Sequence, residues 1–274
     1  MPLTALLLSL AAAAVHASWN LLLADADDTQ AAATVAVVSG VLIFAPVVAV
    51  TWRLQVSALP FIAVSGTLEG IYLMLLARGY ATAAMSFVYP IARGSAPVLV
   101  LIASVVLLGA GASTAAAFGV VLIAAGIVLV RGLRSAGTVD DLTLALSVGA
   151  CIASYTLVDK HGITHGDPLS YLELVFALTA AGHLAGTLRA RGPAAVRAAV
   201  RWRPVLAGIG FFGSYAIALF ALRLAPAASV AAVRETSVIM ATAVLALWGR
   251  ERVTLERLAG SAVVLGGIVL ISLG

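Results

Sequence analysis

Along its length the chain alternates long apolar runs with short polar punctuation. Ten apolar runs, at roughly 3–23, 30–51, 58–77, 81–108, 114–130, 141–158, 169–188, 204–222, 227–248 and 256–273, fill nearly all of its 274 residues. A helix needs about 17 to 25 residues to cross a hydrocarbon core some 30 Å thick, and the runs match that length. Between them lie Asp25/Asp27/Asp28, Arg53, Arg78-Gly79, and the segments 109–113, 131–141, 159–168, 189–203, 223–226 and 250–256. The pattern predicts an all-α polytopic membrane protein with ten transmembrane helices. Residues 1–17 end in Ala14-Val15-His16-Ala17, a passable signal-cleavage site, but no positive n-region precedes them. They are read as the first spanning helix.

The pattern also repeats. Ala17-Ser18-Trp19-Asn20 aligns with Ala153-Ser154-Tyr155-Thr156, and Gly70-Ile71-Tyr72 with Gly213-Ser214-Tyr215 in an ungapped register reaching Ser86 and Ser229. After a two-residue shift, Arg93 falls opposite Arg234. Phe118-Gly119 through Gly126-Ile127-Val128-Leu129 then aligns with Ala259-Gly260 through Gly267-Ile268-Val269-Leu270. The expected units are 1–135 and 136–274. Each holds five spans, an odd number, so the second enters the membrane inverted. Inverted repeats are found in many secondary transporters, whose site lies near the bilayer midplane where the copies meet.

Composition adds an exclusion. The chain is 62% hydrophobic and 10% charged, against roughly 25% charged in soluble domains. Its net charge of +4 does not indicate nucleic-acid binding, because the basic residues are spread over short loops with no basic face. Their distribution sets orientation instead. Eleven Lys and Arg residues fall in odd-numbered loops, whereas even-numbered loops hold Arg53, Lys160 and Arg223. Odd loops are therefore expected in the cytoplasm and both termini outside, in the plasma (inner) membrane. Residues 193–202 suit a short basic interfacial helix on the cytoplasmic face.

Of 28 charged side chains, Glu69, Arg93, Arg234 and Glu235 fall deep inside apolar runs. Such charges are costly in lipid and normally mark a pathway, a partner or a site. Arg93 ends a stripe of Thr82, Ser86 and Tyr89 on span four, flanked by Pro90 and Pro97. Each proline frees the carbonyl four residues back, which predicts a loosened helix beside the charge. Glu69 lies in a stripe with Ser65 and Tyr72; it is a candidate to neutralise Arg93, bind a substrate ammonium or carry a proton. Arg234 and Glu235 are adjacent, hence about 100° apart on a helix, so they cannot both face one point. His16 and Asn20, four apart with Trp19 beside them, are further candidates for the site.

Other patterns read as packing or loop. Gly182-His183-Leu184-Ala185-Gly186, like Gly66 and Gly70, has the small-residue spacing that lets helices approach closely. Residues 208–213 fit the dinucleotide pattern but lie inside a span rather than between strand and helix. His161, His165, Asp159 and Asp167 resemble a metal cluster set in an external loop, and no metal is expected. Cys151 stands alone, which excludes a disulfide framework. No Walker, His-Glu-x-x-His or Gly-x-Ser-x-Gly sequence is present, so neither ATP drive nor hydrolase chemistry is indicated.

Three stretches resemble the drug/metabolite transporter superfamily in its ten-helix form with two EamA-type domains. They are His16-Ala17-Ser18-Trp19-Asn20, the passage from Tyr215 to Pro226, and Glu251-Arg252-Val253-Thr254 through Gly260 with Gly266-Gly267-Ile268. Two departures stand out: Arg250 replaces the closing motif's usual Gly, and 109–114 lacks the motif's Glu. The resemblance implies efflux of metabolites or amino acids, driven by an ion gradient or running as exchange.

The expected function is a secondary transporter, not an enzyme, exporting a small metabolite such as an amino acid or organic anion by alternating access. Arg93 and Arg234 would present guanidinium groups to a carboxylate. Tyr72, Tyr89, Tyr155 and Tyr215 would shape the pocket with Trp19, Asn20 and Glu69. Glu235, Glu69 and His16 are the candidate ion-coupling groups, with protons as the ion. No cofactor is expected; the partners are the substrate and membrane lipid, in a monomer or homodimer. The alternative is a lipid scramblase or membrane-embedded enzyme using the same polar cavity.

Overall fold

The computed structural model describes residues 1–24, 26–81, 85–131, 138–247 and 254–273. Among them are eleven α-helices: α1 (Leu3–Ala24), α2 (Thr29–Val50), α3 (Leu59–Ala81), α4 (Met85–Val106), α5 (Thr114–Arg131), α6 (Val139–Gly162), α7 (Pro168–Ala199), α8 (Trp202–Leu224), α9 (Ala227–Arg234), α10 (Ser237–Leu247) and α11 (Leu255–Leu273). The chain is an all-α polytopic membrane protein. Six helices are long and apolar enough to span a bilayer, and shorter apolar helices cover Ile91–Val106, Thr114–Leu129 and Leu258–Ile271. Large apolar side chains such as Leu42, Leu188 and Leu265 point outward, while alanines and small polar residues pack inside beside buried Tyr171, Phe176 and Phe212. That inversion is how helices pack when lipid is the solvent.

Local chemistry sets the helix ends. Asp28 accepts from the Ala31 N–H at 3.0 Å and caps α2. Thr138 and Asp141 form a capping box at α6. Asp167 caps α7, with Pro168 in its first turn. Gly192, at φ 77°, takes a left-handed conformation within α7 and redirects the chain, so 193–199 form a short separate helix. This is where the basic interfacial helix was expected.

Two differences from the sequence expectation matter for function. The fourth span is not loosened: α4 runs unbroken through Pro90 and Pro97. The ninth span is broken instead, between α9 and α10 at Glu235-Thr236. There the Thr236 hydroxyl donates to the Val233 carbonyl at 2.7 Å, and the Thr236 and Val238 N–H groups bond three residues back. A hydroxyl competing for a helix carbonyl tightens the turn toward 3₁₀ geometry, a frequent sign of a hinge.

Loops alternate between two ends. At one end the Gln55 N–H donates to the His165 carbonyl at 2.9 Å and the Asp167 N–H to the Arg53 carbonyl at 2.7 Å. Lys160 donates to the carbonyls of Leu222 and Ala225, and Arg223 to those of Ile163 and Gly166. At the other end Arg191 lies 3.9 Å from Asp28.

The most extensive helix contact joins α5 and α11. A Cβ on Gly119 would stand 2.7 Å from the Gly267 carbonyl oxygen, and one on Gly126 2.7 Å from that of Gly260. Gly208, likewise, abuts Ala36 and Gly40 of α2, and Gly66 abuts α7. Gly182, Gly186 and Gly70 have no neighbour within 4 Å of such an atom among the described residues. The expected packing role therefore holds for Gly66, while the other three meet no packing partner among the described residues.

Candidate functional site

The break in the ninth span delivers two charges in different directions. Glu235, 4% exposed, accepts from Arg93 of α4 through both carboxylate oxygens, each 3.2 Å from the same guanidinium nitrogen. The other terminal nitrogen of Arg93 lies 3.1 Å from Nε2 of His16 on α1. Guanidinium can only donate, so that imidazole nitrogen is the acceptor and His16 is neutral there. One buried group thus ties together α1, α4 and the α9–α10 hinge. Trp19 closes its flank, edge-on to His16 at 4.9 Å and to Phe211 at 5.2 Å. Asn20 donates back to the His16 carbonyl at 2.8 Å and so belongs to its own helix.

Arg234 turns away from this group. Its guanidinium lies 4.7 Å from the centre of the Tyr215 ring on α8, and among the described residues it makes no ion pair. Tyr215 stands 6.0 Å from Tyr155 of α6, which is 6.2 Å from Tyr72 of α3. Glu69, 3% exposed, lies within electrostatic reach of Tyr215, Asp159 and Arg234. Its Oε2 has no hydrogen-bond partner among the described residues, nor has the Tyr215 hydroxyl. Burial without partners costs a polar group roughly 1–3 kcal/mol, so this chamber is chemically unfinished. Phe176, edge-on to Tyr215 at 5.1 Å, and Phe211, tilted against it at 6.2 Å, wall it on the apolar side.

The predicted residues therefore divide into two neighbouring clusters. His16, Trp19, Arg93 and Glu235 form one; Glu69, Tyr72, Tyr155, Tyr215 and Arg234 form the other. The carboxylate facing Arg93 is Glu235 rather than Glu69. Thr82 and the side chains of Ser86 and Tyr89 lie outside the described residues, as do Arg250 and the Glu251-Arg252-Val253 start of the closing motif.

Asp159 was expected in an external loop. It lies instead on α6, 2% exposed, accepting from Ser65 at 2.5 Å and from Tyr171 at 2.9 Å. A signal existed, since Asp159 follows Tyr155 by four residues and extends its stripe by one helical turn. The other members of the supposed metal cluster have separate partners. His165 sits 3.0 Å from the Ser57 hydroxyl and stacks on Phe61, and Asp167 caps α7.

Two cavities flank the charged layer. One, of about 460 Å³, lies at the Asp28 end among Leu22, Asp27, Arg201, Trp202 and Arg203. The other, about 370 Å³, opens at the opposite end among Ser104, Ser113, Lys160, His161 and Ser229. Neither is lined by Arg93, Glu235, Arg234 or Glu69. The two cavities mark opposite ends of the bundle, and the four charges line neither.

Residues 142–273 match the EamA-like transporter family. A solved crystal structure shares the fold over 100% of this chain and 98% of its own, with TM-score 0.74 at 17% identity. No curated protein matches the chain in sequence.

Proposed function

We propose, from the premise that residues 142–273 form an EamA-like transporter domain, that the chain is a secondary transporter. It exports a small metabolite, an amino acid or organic anion, through the plasma membrane by alternating access. The observation that carries this is the Arg93–Glu235 pair, buried between α4 and the break in the ninth span. A buried ion pair is weak evidence of stability, so its place at the break is read here as a functional one. Here it locks a hinge between two vestibules, as expected of an occluded carrier.

Cargo binds in the adjoining chamber. Arg234 has no carboxylate partner among the described residues and offers its guanidinium to a cargo carboxylate. The tyrosines present ring faces and hydroxyls, and Glu69 receives any ammonium. Release requires the α9–α10 hinge to move, which strains the Arg93–Glu235 contact and couples binding to the gate.

The two-repeat organisation is supported by the α5–α11 contact. Exchanging Gly119 with Gly260 and Gly126 with Gly267, as the sequence repeat pairs them, converts one glycine contact into the other. Such exchange is the property of a two-fold axis lying in the membrane plane. Cytoplasmic placement of the odd loops is supported by the fate of the few cations opposite. Lys160 and Arg223 are spent on helix-end carbonyls, which is their favourable position at a helix C-terminus.

Purified chain in proteoliposomes, offered radiolabelled amino acids, organic acids and cationic amines, tests the proposal. Saturable flux of a carboxylate-bearing solute is the expected result. Flux of labelled lipid alone, or unsaturable current, would overturn it.

A further inference from the structure

The buried charges do not balance within the chamber. Arg93 and Glu235 cancel each other, with His16 neutral beside them. What remains among the described residues is Glu69 and Asp159 against the guanidinium of Arg234, two carboxylates for one cation. Both acids are almost fully buried, at 3% and 2% exposure. A lone carboxylate out of water costs several kcal/mol even after relaxation, so an excess negative charge here needs a counter-charge.

Geometry joins the two acids. Ser65 lies one helical turn before Glu69 on α3, and its hydroxyl donates to Asp159 of α6 at 2.5 Å. Tyr171 of α7 donates to the same oxygen at 2.9 Å. The other groups facing the pair are Tyr72 on α3, Tyr155 on α6, Tyr215 on α8 and Arg234 on α9. Lys160 follows Asp159 but is engaged by α8 carbonyls. Glu173 leaves α7 two residues after Tyr171, roughly 200° around the helix, and so on the far side. Glu69 Oε2 remains without a partner among the described residues.

We infer that Glu69 and Asp159 together hold one exchangeable proton, forming a proton site between α3 and α6. The proton bonds to one carboxylate oxygen of the pair and leaves as the chamber opens to the other vestibule. A metal cation is disfavoured. One Asp159 oxygen already accepts two hydroxyl donors, and a fixed guanidinium lies within reach, whereas a hard cation takes several free oxygens. As the coupling site of the carrier, this rests on the transport proposal; its occupancy does not.

Infrared spectroscopy of the purified full chain at neutral pH tests it through the carbonyl band of a protonated carboxylic acid. The measurement is made in a Glu173→Gln background, to remove the other buried acid without a partner for its Oε2. One deuterium-sensitive band is expected. Glu69→Gln and Asp159→Asn should each abolish it, because the remaining acid then balances Arg234 and needs no proton. Arg234→Gln should raise it twofold. Persistence of the band in either single amide variant would overturn the shared proton, as would its loss when sodium replaces choline. Should Asp159→Asn fail to fold, Arg234→Gln decides alone, and an unchanged band there refutes the inference. Correct band behaviour without solute flux in liposomes would sink the carrier and keep the proton site.

Discussion

Glu235 holds Arg93 from the two-residue break in its own span, with both carboxylate oxygens 3.2 Å from one guanidinium nitrogen. Because the pair is nearly dry, removing one partner strands the other. Arg93→Met or Glu235→Leu should each lower stability by about 3 to 5 kcal/mol. The double variant Arg93→Met/Glu235→Leu should lose much less than the sum, since no charge is left unpaired. Thermal unfolding in detergent, read as a double-mutant cycle, checks this. Additive losses would mean that the two side chains do not act as a pair.

Glycines on different helix faces should respond with opposite signs. At Gly119 and Gly267 an added methyl meets backbone 2.7 Å away, which no rotamer can relieve. Gly119→Ala or Gly267→Ala should therefore destabilise by roughly 1 to 3 kcal/mol, in line with overpacked cores. Gly182 and Gly186 have open space around the same position among the described residues. Alanine there should stabilise by about 0.4 to 1 kcal/mol by restricting the unfolded chain. Melting temperatures of the four variants give the comparison directly.

Sidedness is open to chemical labelling. With Cys151 replaced by Ala, single cysteines at Asp28 and at His161 lie at opposite ends of the bundle. A membrane-impermeant maleimide applied to intact cells should label His161→Cys and spare Asp28→Cys until the membrane is broken. The reverse pattern would invert the orientation and, with it, the direction assigned to export.

Periodicity fixed the helices well because each is a single apolar run, and helix is the only unit in an α-helical membrane protein that satisfies its own backbone in lipid. Nine of the expected spans lie within a few residues of observed helices. The tenth, at 227–248, is apolar on both sides of its break, so hydropathy reads through it. Its hinge depends on one Thr236 hydroxyl reaching back to Val233, a local bond that leaves no trace in a hydrophobicity pattern. Partner choice was equally hidden. Two carboxylates, Glu69 and Glu235, share the apolar runs with Arg93, and only helix packing decides that the one far away in sequence, Glu235, faces it. Asp159 was misplaced because Lys160, His161 and two glycines follow it closely, and their polarity outweighed one more turn of helix.

Arg234 offers the sharpest test of how cargo is held. Its guanidinium lies over the Tyr215 ring at 4.7 Å, where a desolvated cation–π contact is worth about 2 kcal/mol. Two roles are thereby combined in one side chain: a charge for the cargo and a planar group held in place by the ring. Arg234→Gln removes both, and the apparent KM for a carboxylate-bearing solute should rise roughly thirtyfold, as loss of a charge-assisted hydrogen bond worth about 2 kcal/mol implies. Arg234→Lys keeps the charge but loses the planar fork, so the loss should be intermediate. Tyr215→Phe keeps the ring face and should change KM far less than Tyr215→Leu, which removes it. Initial-rate uptake across a concentration series separates these outcomes. Equal KM values for wild type and Arg234→Gln would take Arg234 out of the cargo site and leave it as packing for Tyr215.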